Sequence, residues 1–226
     1  MRDRSPAFYL TILLGGIAIV TFMLLGAQIV TSAGTVAAGS FWEALRHAAF
    51  QVISIMTTTG FVTADFDQWP FFAKAVLVAL MFVGASAGST SGGIKVIRIL
   101  VAGKVMVAEV ERIYRPKVVR TVRLGKAVVE VPLRQAVLVY VLNIIALFLI
   151  GALLLMLLAG GDGITFTTAA TASAATLNNI GPGLGAVGPV ENYGFFSDSS
   201  KVLMSLLMVL GRLELYAIFV LLAPSF

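Results

Sequence analysis

The stretch FWEALRHAAFQVISIM, from Phe41 to Met56, runs without a break into Thr57-Thr58-Thr59-Gly60-Phe61, and its length decides the fold. About 16 residues at about 1.5 Å per residue reach only about 24 Å, short of the roughly 30 Å hydrocarbon core of a bilayer. A helix too short to cross, carrying Glu43, Arg46 and His47 and followed by a polar stretch with Asp65, Asp67 and Pro70, reads as a re-entrant helix with its return loop. The same construction recurs at 165–177, a second short helix ended by Asn178-Asn179-Ile180-Gly181-Pro182-Gly183. Met56-Thr57-Thr58-Thr59-Gly60 overlays Leu177-Asn178-Asn179-Ile180-Gly181 without a gap, which makes the chain an internal repeat.

Longer apolar runs flank each short helix. The first, about 7–30, follows Arg2 and Arg4, contains no charge and is long enough to span. A cleaved signal peptide would have a shorter apolar core and a small-residue cleavage site, so a transmembrane helix is the expectation. A second apolar segment starts at Phe71 and is interrupted by the small residues Gly84-Ala85-Ser86-Ala87-Gly88-Ser89-Thr90-Ser91-Gly92-Gly93, where poor helix propensity predicts a break. Helical character resumes over about 94–110. The second half offers an apolar run at about 136–159, a glycine-rich turn, the short helix, a polar stretch with Glu191 and Asp198, and a last apolar run at 202–223. The fold class that follows is an all-α membrane protein of two M1-P-M2 repeats (helix, pore helix with filter loop, helix), 1–115 and 132–226, joined by a basic linker, 116–131.

Composition agrees. Of 226 residues 59% are hydrophobic and 12% charged, and a mean hydropathy of +0.99 excludes a water-soluble globular domain. The absence of cysteine removes disulfides, thiolate metal sites and a cysteine nucleophile, and a single histidine leaves little for acid–base catalysis. The net charge of +5 is local: Lys95 to Arg134 holds ten of the 16 basic residues against Glu109, Glu111 and Glu130, so this window is +7 and the remainder −2. By the positive-inside rule the linker is cytoplasmic, and two crossings per repeat put both termini there too. Such a placement gives no reason to expect a nucleic-acid partner.

A loop at membrane depth exposes peptide groups that lipid cannot satisfy, so it must be buried in protein or line a watery path, where its carbonyls are available to cations. Gly60 and Gly181 hold equivalent places, and glycine permits the positive φ angles that turn successive carbonyls to one side. The competing reading makes each glycine a helix C-cap. Arg212 lies near the centre of the last apolar run, where a charge costs about 2.5–3.5 kcal/mol, so it faces a pore or pairs with another helix; Glu214, two positions on, does not share its face. For the run 84–93 the plain alternative is close helix packing through glycine. Lys95 and Arg98 can snorkel to the interface.

These segments resemble the membrane subunits of bacterial Trk and Ktr potassium uptake systems, the Trk type most closely, over nearly the whole chain. The resemblance is carried by Thr57-Thr58-Thr59-Gly60-Phe61 with Ala64-Asp65-Phe66-Asp67, by Gly88-Ser89-Thr90-Ser91-Gly92-Gly93-Ile94-Lys95, by Asn178-Asn179-Ile180-Gly181-Pro182-Gly183 and by Gly211-Arg212-Leu213-Glu214. It implies four repeats around one pore, of which this sequence resembles the third and fourth, the first two being missing and supplied in cis or in trans. It implies a K⁺ filter at Thr57, Thr58, Thr59 and Gly60 with Asn178, Asn179, Ile180 and Gly181. It also implies an intramembrane gate at Gly84, Gly88, Ser89, Thr90, Gly92 and Gly93, with Arg212 facing the pore beneath the filter. K⁺ is then cargo and no covalently bound cofactor is expected. The implied setting is the bacterial inner membrane, multi-pass, as a homodimer with a cytoplasmic nucleotide-binding regulatory subunit.

Other classes fit less well. Gly84-Ala85-Ser86-Ala87-Gly88 matches G-x-S-x-G, but that nucleophile elbow needs a histidine, and His47 belongs to the pore helix on the other side. Gly183 to Gly188 matches G-x-G-x-x-G without a preceding strand. Transport rather than enzymatic activity is therefore expected, the competing class being a non-conducting membrane remnant or assembly protein. Asp65, Asp67, Glu191 and Asp198 fall on the outer side, either to concentrate cations or as ordinary solvated loop charge.

Overall fold

The computed structural model describes residues 5–32, 36–37, 39–84, 92–115, 121–124, 127–159 and 164–212. Its first half contains α1 (Ser5–Leu24), a hairpin of β1 (Ile29–Val30) and β2 (Val36–Ala37), the short helix α2 (Phe41–Met56), α3 (Phe71–Met81) and α4 (Val96–Tyr114). A second hairpin, β3 (Arg123–Leu124) with β4 (Ala127–Val128), occupies the basic linker. The second half contains α5 (Val131–Ala159), the short helix α6 (Phe166–Leu177) and α7 (Asp198–Arg212).

Among the described residues two helices are long and apolar enough to cross a membrane, Pro6–Leu24 and Val131–Leu158. Only 22% of each apolar window is buried, so neither is the core helix of a soluble protein; each turns a wide apolar face outward, with Leu142, Leu149, Leu153 and Leu157 exposed along α5. The short helices behave oppositely. From Thr168 to Leu177 every residue of α6 is buried, and its alanines and small hydroxyls let α5 approach closely. Those hydroxyls satisfy themselves locally: Thr171 and Thr176 donate to carbonyls one turn back at 2.7 Å, and Ser173 donates across to the Phe148 carbonyl at 2.9 Å.

Boundaries follow local chemistry. The Ser40 side chain accepts from the Glu43 amide at the start of α2, and Thr165 does the same for Thr168 at the start of α6. The first apolar run extends to Val30, yet α1 ends at Leu24: Gly26 takes φ 75° and donates its N–H to the Gly39 carbonyl at 2.9 Å, turning the chain. Ile29 is apolar because it is buried beneath the first hairpin, where Ile29 pairs with Ala37. The last run begins early, at Asp198, whose carboxylate sits in the first turn of α7, where the helix dipole favours it.

Two clusters lock the repeats together. Val52, Ile55 and Met56 of α2 share a buried core with Leu24, Leu77 and Met81, and this core also takes in Ala174, Ile180 and Leu184 from the second half. Leu177, at the end of α6, packs with Ile94, Tyr140, Ile144 and Leu207. The short helices are therefore held from both halves, with Met56 and Leu177 at their C-terminal ends fully buried.

Candidate functional site

The loops that follow α2 and α6 are built identically, position for position. Thr57 N–H reaches Ile53 O at 2.9 Å and Asn178 N–H reaches Ala174 O at 3.0 Å. Thr58 to Ile55 and Asn179 to Thr176 are both 3.1 Å; Thr59 to Ser54 is 2.9 Å and Ile180 to Ala175 is 2.8 Å. Even the side chains at the cap agree, Thr57 Oγ1 donating to Ile53 O at 2.7 Å and Asn178 Nδ2 to Ala174 O at 2.8 Å. Thr58 and Asn179 each take φ 55°, and two residues on Gly60 takes φ 78° and Gly181 φ 113°. The helices are therefore closed by Thr58 and Asn179 in the left-handed region, and the glycines lie beyond the cap with a separate task.

A β-branched residue at φ 55° is strained by roughly 1–2 kcal/mol, whereas asparagine tolerates that region. Thr58→Asn, which copies the second loop into the first, is accordingly expected to raise the detergent-solubilised chain's stability by about 1 kcal/mol, read as a higher melting temperature. A lower melting temperature would mean that the threonine side chain makes a contact worth more than the strain.

The two loops meet. A Cβ on Gly60 would strike the Ile180 carbonyl oxygen and lie 3.4 Å from the Pro182 ring, so the backbone of one loop passes directly against that of the other. Thr57 and Thr59 hydroxyls pair at 2.7 Å, and Ser54 Oγ donates to the Phe61 carbonyl at 2.7 Å, pinning the first loop to its helix. In the second, Thr171 Oγ1 accepts from Leu184 N–H at 2.9 Å and the Tyr193 hydroxyl donates to the Gly181 carbonyl at 2.6 Å. Ser54, Thr171 and Tyr193 were not distinguished by sequence reasoning. Hydroxyls inside an apolar pore helix are a usable signal for the first two, but nothing local marks the tyrosine.

Below the loops, Gly84 and Ile94 close the interruption of the second segment: Gly84 N–H reaches Ile94 O at 2.6 Å and Ile94 N–H reaches Phe82 O at 3.1 Å. The sequence-expected break is present, and its glycines press on the second loop. A Cβ on Gly92 would strike the Asn178 carbonyl, and one on Gly93 would lie 3.2 Å from Asn178 Oδ1, a buried oxygen without a hydrogen-bond partner among the described residues. Gly88, Ser89 and Thr90 lie outside the described residues, as does Glu214. Gly211 brings α7 against the same place, since a Cβ there would strike the Leu177 carbonyl, and Asn179 Nδ2 donates to Met208 O at 3.0 Å. Arg212 follows immediately, its side chain exposed at the last described position of α7. The structure thus gathers the two loops, Gly84, Gly92, Gly93 and Gly211 around the ends of the short helices, and Arg212 is placed there only as the next residue in the chain.

Other residues have structural employment. Asp65 is buried, accepting from the Asp67 amide at 3.2 Å and from Gln68 Nε2 at 2.6 Å, and Asp67 pairs with Lys74 at 3.8 Å. Asp198 pairs with Lys201 at 3.8 Å, which leaves Glu191 the acid with the plainest surface role. His47 lies within α2, 3.3 Å from Thr63 Oγ1 and 3.5 Å from Glu43. The G-x-G-x-x-G stretch is the return of the second loop, a short 3-10 turn at Gly185–Val187 tied to Thr168 and Thr171, and it follows the helix α6 rather than a strand. Arg98 does not snorkel: its guanidinium lies 4.0 Å above the centre of the Tyr140 ring.

Comparison with known proteins matches this architecture. Residues 6–225 fit the family model described as TrkH, cation transport protein. The Trk system potassium uptake protein TrkH of Halomonas elongata is 39% identical over 184 residues, 81% of this chain and 37% of its own length. Its namesake in Salmonella typhimurium is 35% identical over 225 residues, 100% of this chain and 44% of its own length. The crystal structure of the potassium transporter TrkH from Vibrio parahaemolyticus superposes with a TM-score of 0.84 at 32% identity, covering 99% of this chain and 45% of that one. The chain thus spans less than half the length of these relatives, whose potassium-channel-like repeats it shares. By the family model, the overlaid fold and the paired loops together, the chain belongs to the TrkH family of cation transport proteins, a family of membrane transporters rather than enzymes.

Proposed function

We propose that this chain forms two walls of a potassium-uptake pore in a bacterial inner membrane, with the backbone of Thr57–Gly60 and Asn178–Gly181 as its share of the filter. The observation that carries the reading is the matching hydrogen bonding of the two loops, each ending a buried short helix and each reaching a positive-φ glycine, with Gly60 of the first loop set against Ile180 of the second. Two helix C-termini converge here, and their partial negative charge favours a cation at the loops. Because the potassium uptake relatives are more than twice as long, two further walls come from elsewhere, in cis or in trans. The segment around Gly84, Gly92 and Gly93 acts as the gate beneath, its seat on Asn178 and Leu177 letting the adjoining α4 govern access. Arg212 adds a positive charge that restrains passage. The basic linker faces the cytoplasm, where a nucleotide-binding regulatory subunit docks, and the working unit is a homodimer.

Rubidium entry into vesicles reconstituted with this chain tests the reading, alone and together with a chain supplying the two other repeats. Uptake in either case, competed by K⁺ more than by Na⁺, is the expected result. No uptake in both would leave a non-conducting remnant. In the conducting preparation Arg212→Gln is expected to raise flux about five- to tenfold, the factor set by removing roughly 1 kcal/mol of barrier. Unchanged flux would place the charge away from the ion path.

A further inference from the structure

The two loops are restrained by different means. Gly60 is walled in by the Ile180 carbonyl and the Pro182 ring, so its peptide has little room to turn. Around Gly181 a Cβ would meet nothing within 4 Å, and its φ of 113° lies where only glycine is comfortable. The Cβ direction at Gly181 is open, so no side-chain or backbone wall like that at Gly60 stands there. Among the described residues, what holds its carbonyl is the hydroxyl of Tyr193, 12 positions on, at 2.6 Å. The ring is itself anchored, stacked on Phe196 at 6.1 Å between centroids, with Phe195 stacked on Phe196 at 4.4 Å; Phe196 is buried against Leu155, Ala169, Ala172 and Met204.

We propose that Tyr193 is a positioning residue for ion selection: its hydroxyl fixes the orientation of the Gly181 carbonyl and so sets the preference for K⁺ over the smaller Na⁺. This rests on the reading of the two loops as a filter. A carbonyl oxygen has two acceptor sites, so one taken by the phenol leaves the other for a cation. A carbonyl held in place offers the spacing suited to one ion radius, whereas a peptide free to swing follows a smaller ion inward and discriminates less. Burial pushes the Tyr193 phenol well above its ordinary value, so the group remains a donor at any physiological pH. In the first loop Ser54 supplies the corresponding hydroxyl one position further on, at the Phe61 carbonyl.

The test compares thermal unfolding of the conducting preparation, purified in detergent with all its repeats and titrated with KCl or NaCl against choline chloride, for wild type, Tyr193→Phe and Phe196→Leu. The wild type is expected to be stabilised at lower K⁺ than Na⁺. Tyr193→Phe should bring the two concentrations together, lowering their ratio by about tenfold, as loss of one well-placed hydrogen bond would. Phe196→Leu, which loosens the ring and keeps the hydroxyl, should lower the melting temperature in choline and keep most of the K⁺ preference. A Tyr193→Phe chain that retains the wild-type ratio overturns the proposal, and equal loss of preference in both variants reduces Tyr193 to packing. If the wild type itself shows no K⁺ preference, the filter reading fails, and this inference with it. Should Tyr193→Phe not fold, 3-fluorotyrosine incorporation, which strengthens the phenol as a donor, must shift the K⁺ to Na⁺ ratio of the folded chain; an unchanged ratio counts against the proposal.

Discussion

Gly60→Ser is expected to reduce potassium-dependent growth of an uptake-deficient bacterium, and rubidium entry in the conducting preparation, to background, a loss of roughly 100-fold or more. Two effects combine. A side chain at φ 78° costs roughly 1–2 kcal/mol before any contact is considered. Its Cβ would also strike the Ile180 carbonyl, so accommodating it means moving a carbonyl of the opposite loop, and a cage of fixed oxygens tolerates little displacement. Gly181→Ser has open space for its side chain, and its defect comes from φ alone, so it should be the milder of the two. Near-normal uptake by Gly60→Ser would remove the filter assignment of the first loop; a harsher defect at Gly181 would reverse the steric argument.

Gly211→Val carries the second large effect, this time on stability. The α7 backbone passes so close to the end of α6 that any Cβ at 211 would meet the Leu177 carbonyl, and the neighbouring Asn179 Nδ2 lies 3.1 Å from the same point. The nearer obstacle is backbone, and the Asn179 side chain is itself tied to the Met208 carbonyl. The helix must withdraw, breaking the Asn179 to Met208 bond and opening the cluster of Leu177, Tyr140, Ile144 and Leu207. Overpacking of this kind costs about 3 kcal/mol, and for a chain of this size that corresponds to a fall of about 6–12 °C in melting temperature. A change within about 1 °C would mean that α7 slides over α6 without strain.

The sequence was most readable where length and local chemistry both spoke. The extent of α2 and the end of α6 were legible because a short apolar helix followed by threonines or asparagines and then glycine has few other homes, and the overlay of the two loops anticipated their shared hydrogen bonds. The end of α1 was not legible: Ile29 and Val30 continue its hydropathy, and only their pairing in the first hairpin, with Ile29 buried, shows that they serve a different surface. Hairpins of two-residue strands leave no periodicity to detect. Tyr193 was hidden for another reason. Its partner is 12 residues away across a loop, and no spacing rule links a phenol to a carbonyl through an irregular path. Asp65 and Asp67 read as free outer charge and proved to be a buried cap and an ion-paired surface residue.

Of the four aligned loop positions only the glycine is the same in both repeats, yet every backbone hydrogen bond between helix and loop is kept. The two copies differ in chemistry while sharing one geometry, so the pore proposed above would have unequal sides. In a pore made from identical subunits every substitution is delivered to all sides at once and the outcome is close to all or none. Here a change at Thr59 leaves Ile180 untouched, and one at Tyr193 leaves Ser54 untouched. Such a chain can be tuned in small increments, one side at a time, and each side can respond to a different neighbour.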